Sequence, residues 1–325
     1  MTRTGLVLGA GGVVGQAYHA GVLATLEREL GWDPRSAELI VGSSAGSVTA
    51  ATLRLGVSAS DLAAWTSDEP LSPAGQAFFA AVGPAAEDLP MPSVTHLLHG
   101  WRLPSARLMA RTARRPWGLR PAAAYSTLLP AGRYDLQERT RVLDIEGAPW
   151  PSGLWICTAR RTDGHRVVFG RAGAPSALLS QAVAASCAIP SYFAPVRIGR
   201  HQYVDGGVHS PTNADVLATS GLDLVIVVSP MSAAHGSSRS ADAMVRWAAH
   251  RRLEAEVRRL RAHGTEVVRI EPSARTLSVM GINAMAEDRS AEVVAASAED
   301  TAALLATPRC ATRLHALRRR RRSAA

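Results

Sequence analysis

The first 66 residues alternate between short apolar runs and helical patterns, and this order constrains the fold more than any other feature. Residues 5–8 form a strand-like run, which a glycine-rich loop joins to a helix with one apolar face ending before Gly31. Residues 38–41 form a second such run, and residues 42–46 join it to a helix of small residues. Strands alternating with helices predict a parallel sheet, and hence an α/β fold.

The middle of the chain, residues 67–150, has a different character. Prolines recur, arginines cluster, and Trp101, Trp117 and Trp150 are interleaved with them. We interpret this segment as an irregular, partly helical insertion that caps the core. Neither an internal repeat nor a clear linker divides the sequence, so we predict a single domain over residues 1–325.

Strand patterns resume after the insertion. The sequence LWICTAR, the pair Asp163-Gly164 and the run VVFG predict a hairpin with a type I′ turn. Residues 176–188 predict an alanine-rich helix, and the continuous apolar run at residues 224–228 predicts a strand in the middle of a parallel sheet. The last third predicts a long helix at residues 243–263, a strand at residues 266–270 and a terminal helix.

The composition is that of a folded chain, with 47% hydrophobic and 19% charged residues among 325. The three cysteines, Cys157, Cys187 and Cys310, suggest neither a disulfide framework nor a zinc site. We see no signal peptide and no apolar run long enough to span a membrane. The sequence therefore predicts a cytoplasmic protein, for which peripheral membrane contact remains open.

The positive charge is concentrated in two segments. The net charge is +9, and because the chain contains no lysine, all of its basic residues other than histidine are arginines. The basic tail at residues 318–325 holds five arginines, and residues 101–141 hold nine against two acidic residues. Such segments bind nucleic acid or anionic membranes, or they are simply solvated. Tryptophans beside arginines in residues 101–141 favour contact with an anionic membrane.

A glycine-rich loop separates the first strand from the first helix. Glycines allow a tight turn, and the helix N-terminus directs N–H groups toward a negative charge. A dinucleotide site would need an acidic residue at the end of the second strand, where this chain has a serine turn instead. The interpretation of this loop as a nucleotide-binding site is therefore disfavoured but stays open. The loop reads Gly9-Ala10-Gly11-Gly12-Val13-Val14-Gly15.

The serine turn has the form of a nucleophile elbow. Ser44 lies between Gly42 and Gly46, after a predicted strand and before a predicted helix. The sharp turn requires small residues at these two positions and leaves the serine hydroxyl accessible. The alternative is an ordinary strand-to-helix turn in which Ser44 only caps the helix.

A nucleophilic serine needs a base, and Asp205 is the best candidate. It follows a short strand, and Gly206 and Gly207 allow its carboxylate to approach another loop. The alternative is an aspartate that only forms a turn. We considered four of the histidines that follow Asp205 in the sequence, but none lies in a strand-end loop of the kind a catalytic triad uses: His209, His235, His250 and His263.

Taken together and in this order, the three motifs resemble those of the patatin-like phospholipase family of serine hydrolases. The resemblance covers residues 4–66 and 152–230, and its carriers are LVLGAGGVVGQAYHAGVL, IVGSSAGSVTAATLRLG and AVAASCAIPSYFAPVRIGRHQYVDGGVHSPTNAD. It implies a three-layer α/β fold with helices on both faces of a mainly parallel sheet. It also implies a Ser-Asp dyad of Ser44 and Asp205, with an oxyanion hole formed by Gly11, Gly12 and Val13.

The chain departs from the family pattern at three positions. Val14 stands where family members usually have arginine or lysine, and Ala10 stands where they usually have glycine. After Asp205, Pro211 precedes Asn213, whereas the family usually has the asparagine before the proline. Neither serine nor aspartate of the implied dyad is affected.

The resemblance predicts a lipid acyl hydrolase that cleaves carboxylic esters without a cofactor or metal. The substrate would be a lipid or another ester, and no nucleic-acid partner is expected. Two alternatives remain open at this stage, namely a nucleotide- or nucleic-acid-binding protein and a catalytically inactive patatin-like protein.

Overall fold

The computed structural model describes residues 2–82, 102–114, 121–145, 147–233 and 241–318. Within these ranges eight strands form one sheet. The strands are β1 (Thr4–Leu8), β2 (Leu39–Ser43), β3 (Leu154–Arg160), β4 (Arg166–Phe169), β5 (Val196–Ile198), β6 (His201–Asp205), β7 (Leu224–Val228) and β8 (Glu266–Ile270).

The helices of the same ranges connect these strands and cover the sheet. They are α1 (Gly12–Leu30), α2 (Ala45–Arg54), α3 (Ala59–Thr66), α4 (Pro73–Val82), α5 (Ala106–Arg114), α6 (Pro121–Ser126), α7 (Gln137–Thr140), α8 (Leu179–Cys187), α9 (Ala241–Ala262), α10 (Ala274–Met280), α11 (Ser290–Ala306) and α12 (Pro308–Arg318). Single 3₁₀ turns lie at Pro34–Ser36, Arg141–Leu143, Gly206–Val208 and Ala214–Leu217.

The centre of the sheet is parallel and its far side is antiparallel. The strands are connected by hydrogen bonds in the order β5-β6-β3-β2-β1-β7-β8, and β4 also pairs with β3. From β3 to β8 neighbouring strands are parallel, whereas β4, β5 and β6 pair in antiparallel fashion. The predicted mainly parallel α/β sheet is confirmed.

Alternate strand residues face two separate cores. Leu6 and Leu8 of β1 pack in a cluster with residues of α1, α2, α8 and α11. Val7 packs in a second cluster with residues of α9 and the turn Ala214–Leu217. Since successive side chains of a strand point to opposite faces, helices cover both faces of the sheet. The fold therefore has the three layers implied by the resemblance.

The pairing of β3 brings two distant segments together. The Ile40 N–H donates to the Gly153 carbonyl, and the Arg161 N–H donates to the Gln202 carbonyl. The backbone groups of every second residue of a strand point to the same side, and Gly153 and Arg161 are an even number of positions apart. β2 and β6 therefore lie along the same side of β3. The Arg160 N–H points the other way, to His165 beside β4. The carboxyl ends of β2 and β6 therefore meet beside β3.

Several predicted details are wrong at the level of single turns and helix ends. The hairpin of β3 and β4 exists, but its loop spans four residues between the hydrogen-bonded Arg160 and His165. A type I′ turn needs positive φ at both central residues, and only Gly164, at 63°, has it. The helix predicted from residue 176 begins at Leu179, and the terminal helix is divided into α11 and α12.

The insertion is partly helical, as the sequence predicts, with α4 to α7 among its described residues. Trp101 and Trp117 lie outside the described residues, whereas the Trp150 indole donates to the Leu154 carbonyl at 2.9 Å. None of the helices in the described ranges has both the length and the apolar character needed to cross a bilayer.

Candidate active site

Ser44 lies in a strained turn between β2 and α2. Its φ of 52° and ψ of −126° fall in a region that residues other than glycine rarely adopt. Such a conformation costs about 1–3 kcal/mol and persists only where surrounding contacts enforce it. A Cβ on Gly46 would overlap the Leu8 carbonyl oxygen, and one on Gly42 would lie 2.5 Å from the Gly46 oxygen. Both glycines are therefore required by close backbone packing.

Two serines hold the turn in place. The Ser44 N–H donates to Ser186 Oγ at 2.9 Å, and that hydroxyl donates to the Cys157 carbonyl of β3 at 2.7 Å. The Ser47 hydroxyl donates to the Ser44 carbonyl at 2.7 Å. Sequence reasoning missed both supporting residues. Ser186 lies within the third stretch that carries the family resemblance, but a serine inside a helix gives no local signal of this contact.

Asp205 reaches Ser44 because of the strand register on β3. Ser43 pairs with Cys157 of β3, and Asp205 pairs with Thr158, the residue that follows Cys157 along β3. The Ser44 side chain lies close enough to the Asp205 carboxylate to lower the pKa of that carboxyl. Both residues are buried, with 6% and 5% of their surface exposed. The structure therefore brings together two predicted site residues that lie 161 positions apart in the sequence.

Burial changes the acidity of Asp205. Loss of solvent raises the pKa of this carboxyl from 3.8 to about 6, against the opposing effects of the Ser44 side chain and of the hydrogen bond from the Gly207 N–H. The Gly207 N–H donates to Asp205 Oδ1 at 2.7 Å. A Cβ on Gly206 would overlap the Cys157 carbonyl oxygen. A carboxylate with a pKa near 6 is a stronger base than an exposed aspartate.

The glycine loop lies beside this pair. Gly12, at φ 64°, begins α1, and together with Val13 it lines the same cavity as Ser44. The Val14 N–H donates to the Ala284 carbonyl at 3.2 Å, and the Gly15 N–H donates to the Gly11 carbonyl at 2.9 Å. The N–H groups of Gly12 and Val13 belong to the first helical turn, whose donors have no partner within the helix.

The other residues of the glycine loop lie against the core or against neighbouring backbone. A Cβ on Gly11 would lie 2.7 Å from the Gly15 Cα, and one on Gly9 would lie 3.2 Å from the Val228 oxygen. Gly15 itself has room for a Cβ, with Pro230 at 3.6 Å. The Val14 side chain is buried in the core, so the position at which the family usually carries a cation is apolar here.

The loop after Asp205 joins the two halves of the site. Asn213, at φ 52°, donates from Nδ2 to Ser43 Oγ at 2.9 Å and to the Ser210 carbonyl at 2.6 Å. The Pro211 carbonyl accepts from the Ala10 N–H at 2.8 Å. This segment, which departs from the family order in sequence, thus connects the glycine loop and the serine turn to the segment that carries Asp205.

An apolar cavity of about 330 Å³ opens at Ser44. α3 and α4 contribute Trp65 and Phe79, whose rings stack at a centroid distance of 4.3 Å. Arg139 is the one charged residue in the described lining. The other apolar side chains of the wall include Val48, Leu62, Leu143 and Phe193. Such a wall suits a hydrocarbon chain better than a polar ligand.

Of the four histidines that we considered as bases, two have partners away from Ser44 and one lies beyond the described residues. His250 Nδ1 is 2.8 Å from Glu271, and His263 Nδ1 is 2.9 Å from the Arg259 carbonyl. His235 lies outside the described residues. In the part of the chain that the structure describes, no three His, Cys, Asp or Glu side chains are grouped to hold a metal ion.

A strained serine, a buried carboxylate, N–H donors and an apolar cavity lie together in this site, as a lipid-acyl hydrolase requires. A family model for patatin-like phospholipases matches residues 6–218, about two thirds of the sequence. The chain belongs to the patatin-like phospholipase family. No curated protein sequence matches it.

Two solved structures are similar over 94% of this chain. VipD from Legionella pneumophila is 14% identical with a TM-score of 0.44, and the type III effector protein ExoU is 17% identical with a TM-score of 0.35. The chain covers 67% of the first structure and 54% of the second. Both TM-scores are below 0.5, so the family assignment rests on the family model.

Proposed function

We propose that the protein hydrolyses carboxylic esters of lipids through a dyad of Ser44 and Asp205 and an acyl-enzyme. The observation that carries this proposal is the placement of the Asp205 carboxylate beside the Ser44 side chain, which itself lines an apolar cavity. A nucleophile in contact with its base, beside a pocket for an acyl chain, is the arrangement that covalent ester hydrolysis needs.

In the first half-reaction, Ser44 Oγ attacks the acyl carbon while its proton passes to Asp205. The carbonyl oxygen becomes an oxyanion that accepts hydrogen bonds from the N–H groups around Gly11, Gly12 and Val13, with Ala45 as a further donor. One such donor contributes about 3 kcal/mol to the stability of the transition state. The bond to the leaving alcohol then breaks, and the alkoxide takes the proton from Asp205.

In the second half-reaction, water attacks the acyl carbon of the acyl-enzyme and gives a proton to Asp205. The bond between Ser44 Oγ and the acyl group breaks, and Ser44 recovers the proton. The fatty acid leaves as the product, and the site returns to its starting state. The pKa of Asp205, raised by burial, supports the role of this carboxylate in both proton transfers.

The contacts of the glycine loop disfavour the alternative of a nucleotide site. The Ala284 carbonyl oxygen lies close to Gly12 and accepts from the Val14 N–H. The Val14 N–H is therefore already occupied, which leaves fewer donors for the several phosphate oxygens that a nucleotide would place there. A neutral ester, which acquires its charge only at one oxygen during the reaction, is compatible with the remaining donors.

The test of the dyad uses two substitutions and one matched control. We expect Ser44→Ala and Asp205→Asn each to reduce hydrolysis of a short-chain nitrophenyl ester by about three orders of magnitude or more. Asp68→Asn, at an exposed aspartate, should keep full activity. Circular dichroism should show the same fold in all three. If either dyad variant retained more than a few per cent of the activity, the dyad would be wrong.

Single histidine replacements distinguish a Ser-Asp dyad from a Ser-His-Asp triad. Each of the four histidines considered as a base is replaced singly by alanine, and we expect turnover to stay within about twofold of the original, since a carboxylate base requires none of them. A loss of several orders of magnitude at one position would instead identify a Ser-His-Asp triad. The positions are His209, His235, His250 and His263.

We further propose that the protein contacts anionic membranes as a peripheral, cytoplasmic protein, through residues 101–141. On and near α5, Leu103 and Met109 are 90% and 57% exposed, whereas Leu108 is buried. Exposed apolar side chains among arginines suit a lipid interface. Trp101 and Trp117 lie outside the described residues, and so does Arg115.

Vesicle co-sedimentation tests this contact. Each basic residue near an anionic surface contributes about 1 kcal/mol, so binding should favour anionic over zwitterionic vesicles and should weaken with salt. Joint neutralisation of Arg111, Arg114 and Arg115 should reduce it strongly. Equal binding to both lipids, or a loss caused only by deleting residues 318–322, would contradict this assignment of the docking surface.

A further inference from the structure

A second cleft, of about 730 Å³, lies where β4 and the hairpin of β5 and β6 flank the sheet. It shares no lining residue with the cavity at Ser44. Its described lining contains no aspartate or glutamate, but it contains six arginine and histidine side chains. These residues define the arginine cleft: Arg160, Arg166, Arg171, Arg200, His165 and His201.

Two of the four arginines are already neutralised. Arg160 donates to both oxygens of Asp163, at 2.9 and 2.6 Å. Arg166 donates to both oxygens of Asp215, at 2.6 and 3.1 Å. These bidentate pairs fix the wall of the cleft and contribute little net charge to it.

The other two arginines have no such partner. Among the described residues, neither Arg171 nor Arg200 forms an ion pair with a carboxylate, although fifteen ion pairs occur in the same ranges. Both line the cleft. The arginine cleft therefore carries two uncompensated positive charges.

Other contacts hold these two guanidinium groups without neutralising them. Arg171 lies over the ring of Trp155, 5.3 Å from its centroid. Arg200 occupies the second position of the two-residue turn between β5 and β6, after Gly199 at φ 56°. Its Nε donates to His201 Nε2 at 3.3 Å, and this bond leaves both terminal nitrogens of the guanidinium group for another acceptor. Restricting an arginine in this way reduces the entropy lost on binding.

The imidazole of His201 lies in a positive field to which Arg200, one of these two arginines, contributes. Its pKa is lowered by partial burial and by the charges of Arg160, Arg200 and Arg107, against a smaller opposing effect of Asp163. Guanidinium groups therefore outweigh carboxylates in their effect on a side chain that lines the cleft. An anion bound there would oppose this field.

We propose that the arginine cleft binds a phosphate dianion, supplied as inorganic phosphate, as a soluble phosphate monoester or as the phosphomonoester headgroup of a phospholipid. Two uncompensated guanidinium groups match the charge of a phosphate monoester at neutral pH, which is about −1.5 to −2. The planar fork of arginine also matches the spacing of phosphate oxygens. This site is separate from the proposed ester chemistry and does not depend on it.

The test measures binding calorimetrically on the Ser44→Ala variant, so that catalysis plays no part in the result. Inorganic phosphate and glycerol 3-phosphate should each bind saturably, with an affinity that falls as salt rises. Adding Arg171→Ala and Arg200→Ala together should weaken binding by about tenfold or more, since charge-assisted hydrogen bonds are lost. Arg197→Ala is the matched control, because this exposed arginine lies on the same hairpin outside the cleft.

A second measurement locates the ligand. Saturating phosphate should raise the pKa of His201, measured by NMR of the imidazole, and should leave that of the exposed His263 unchanged. Flotation with vesicles containing phosphatidic acid, compared with phosphatidylglycerol at equal charge, distinguishes the lipid source from the soluble ones. Preference for phosphatidic acid without binding of soluble phosphates assigns the headgroup as the ligand.

Three results would overturn the proposal. The first is the absence of saturable binding to both soluble phosphates together with equal binding to the two kinds of vesicle. The second is an affinity that the double arginine variant retains. The third is phosphate binding that leaves the pKa of His201 unchanged. None of these outcomes depends on whether Ser44 is the nucleophile.

Discussion

At the scale of single residues, the chemistry of the site depends on the burial of Asp205. Its carboxylate has no cationic partner among the groups that shift its pKa, so burial dominates and the pKa rises to about 6. Asp163 is also buried, but hydrogen bonds from Arg160 and from the His165 backbone outweigh the effect of burial and lower its pKa. The pKa values of two buried aspartates are thus shifted in opposite directions. The sequence alone does not reveal this difference.

The first prediction concerns activity as a function of pH. The base must be ionised, so kcat/KM for a neutral ester should be full above the pKa of Asp205 and should fall below it, with a midpoint near 6. The pH profile of steady-state hydrolysis measures this midpoint. A midpoint near 4, or a profile that changes only above pH 8, would contradict a buried Asp205 as the base.

The second prediction concerns stability. Because the folded pKa of Asp205 exceeds the unfolded value of 3.8, its ionised form destabilises the folded state at high pH. Asp205→Asn should therefore raise the melting temperature at pH 8, and the gain should shrink as pH falls from about 6 toward 3.8. Asp163→Asn should have the opposite sign, because the pKa of Asp163 is lowered. Thermal denaturation at pH 5 and pH 8 measures both; an Asp205→Asn gain that does not change with pH would contradict the linkage.

At the scale of elements, the sequence shows which loops matter but not how they meet. Glycine spacing predicts the turn at Ser44, because a Cβ at Gly42 or Gly46 has no room there. The meeting of β2 and β6 beside β3 depends on long-range pairing, for which no local pattern exists. The same reason explains why Ser186 was missed, and why the cavity walls contributed by α3 and by α4 of the irregular segment could not be predicted.

The third prediction separates glycines that the backbone requires from one that it does not. Gly46→Ala should lower the free energy of unfolding by about 2 to 4 kcal/mol, because the added Cβ overlaps the backbone of β1. Gly15→Ala, inside α1 with its nearest contact at 3.6 Å, should raise it by about 0.5 to 1 kcal/mol. Urea denaturation measures both. Equal effects of the two substitutions would contradict the packing described for the turn.

At the scale of the whole molecule, the family match ends before the sheet does. Residues 6–218 include β1 to β6, but β7 and β8 follow and pair beyond β1. α9 covers one face and α11 packs with α1 on the other. The apolar run of β7 and the pattern of β8 are recognisable in the sequence, and β8 begins and ends as predicted. The single-domain organisation remains a prediction.

The fourth prediction tests that organisation by truncation. A fragment of residues 1–218 leaves β1 without its partner β7 and exposes the apolar face that α9 covers. We therefore expect it to be insoluble or to unfold without cooperativity. A chain ending at residue 318, which lacks only the end of the arginine tail, should unfold cooperatively. A folded, active fragment of residues 1–218 would show that two units exist instead of one.

Covalent labelling tests the central claim most directly. A fluorophosphonate probe reacts with an activated serine, and mass spectrometry of the digested protein identifies the modified residue. We expect one adduct on Ser44, slower labelling in Asp205→Asn and none in Ser44→Ala. Absence of labelling in the folded protein, or an equal yield of adduct on another residue in Ser44→Ala, would contradict Ser44 as the nucleophile.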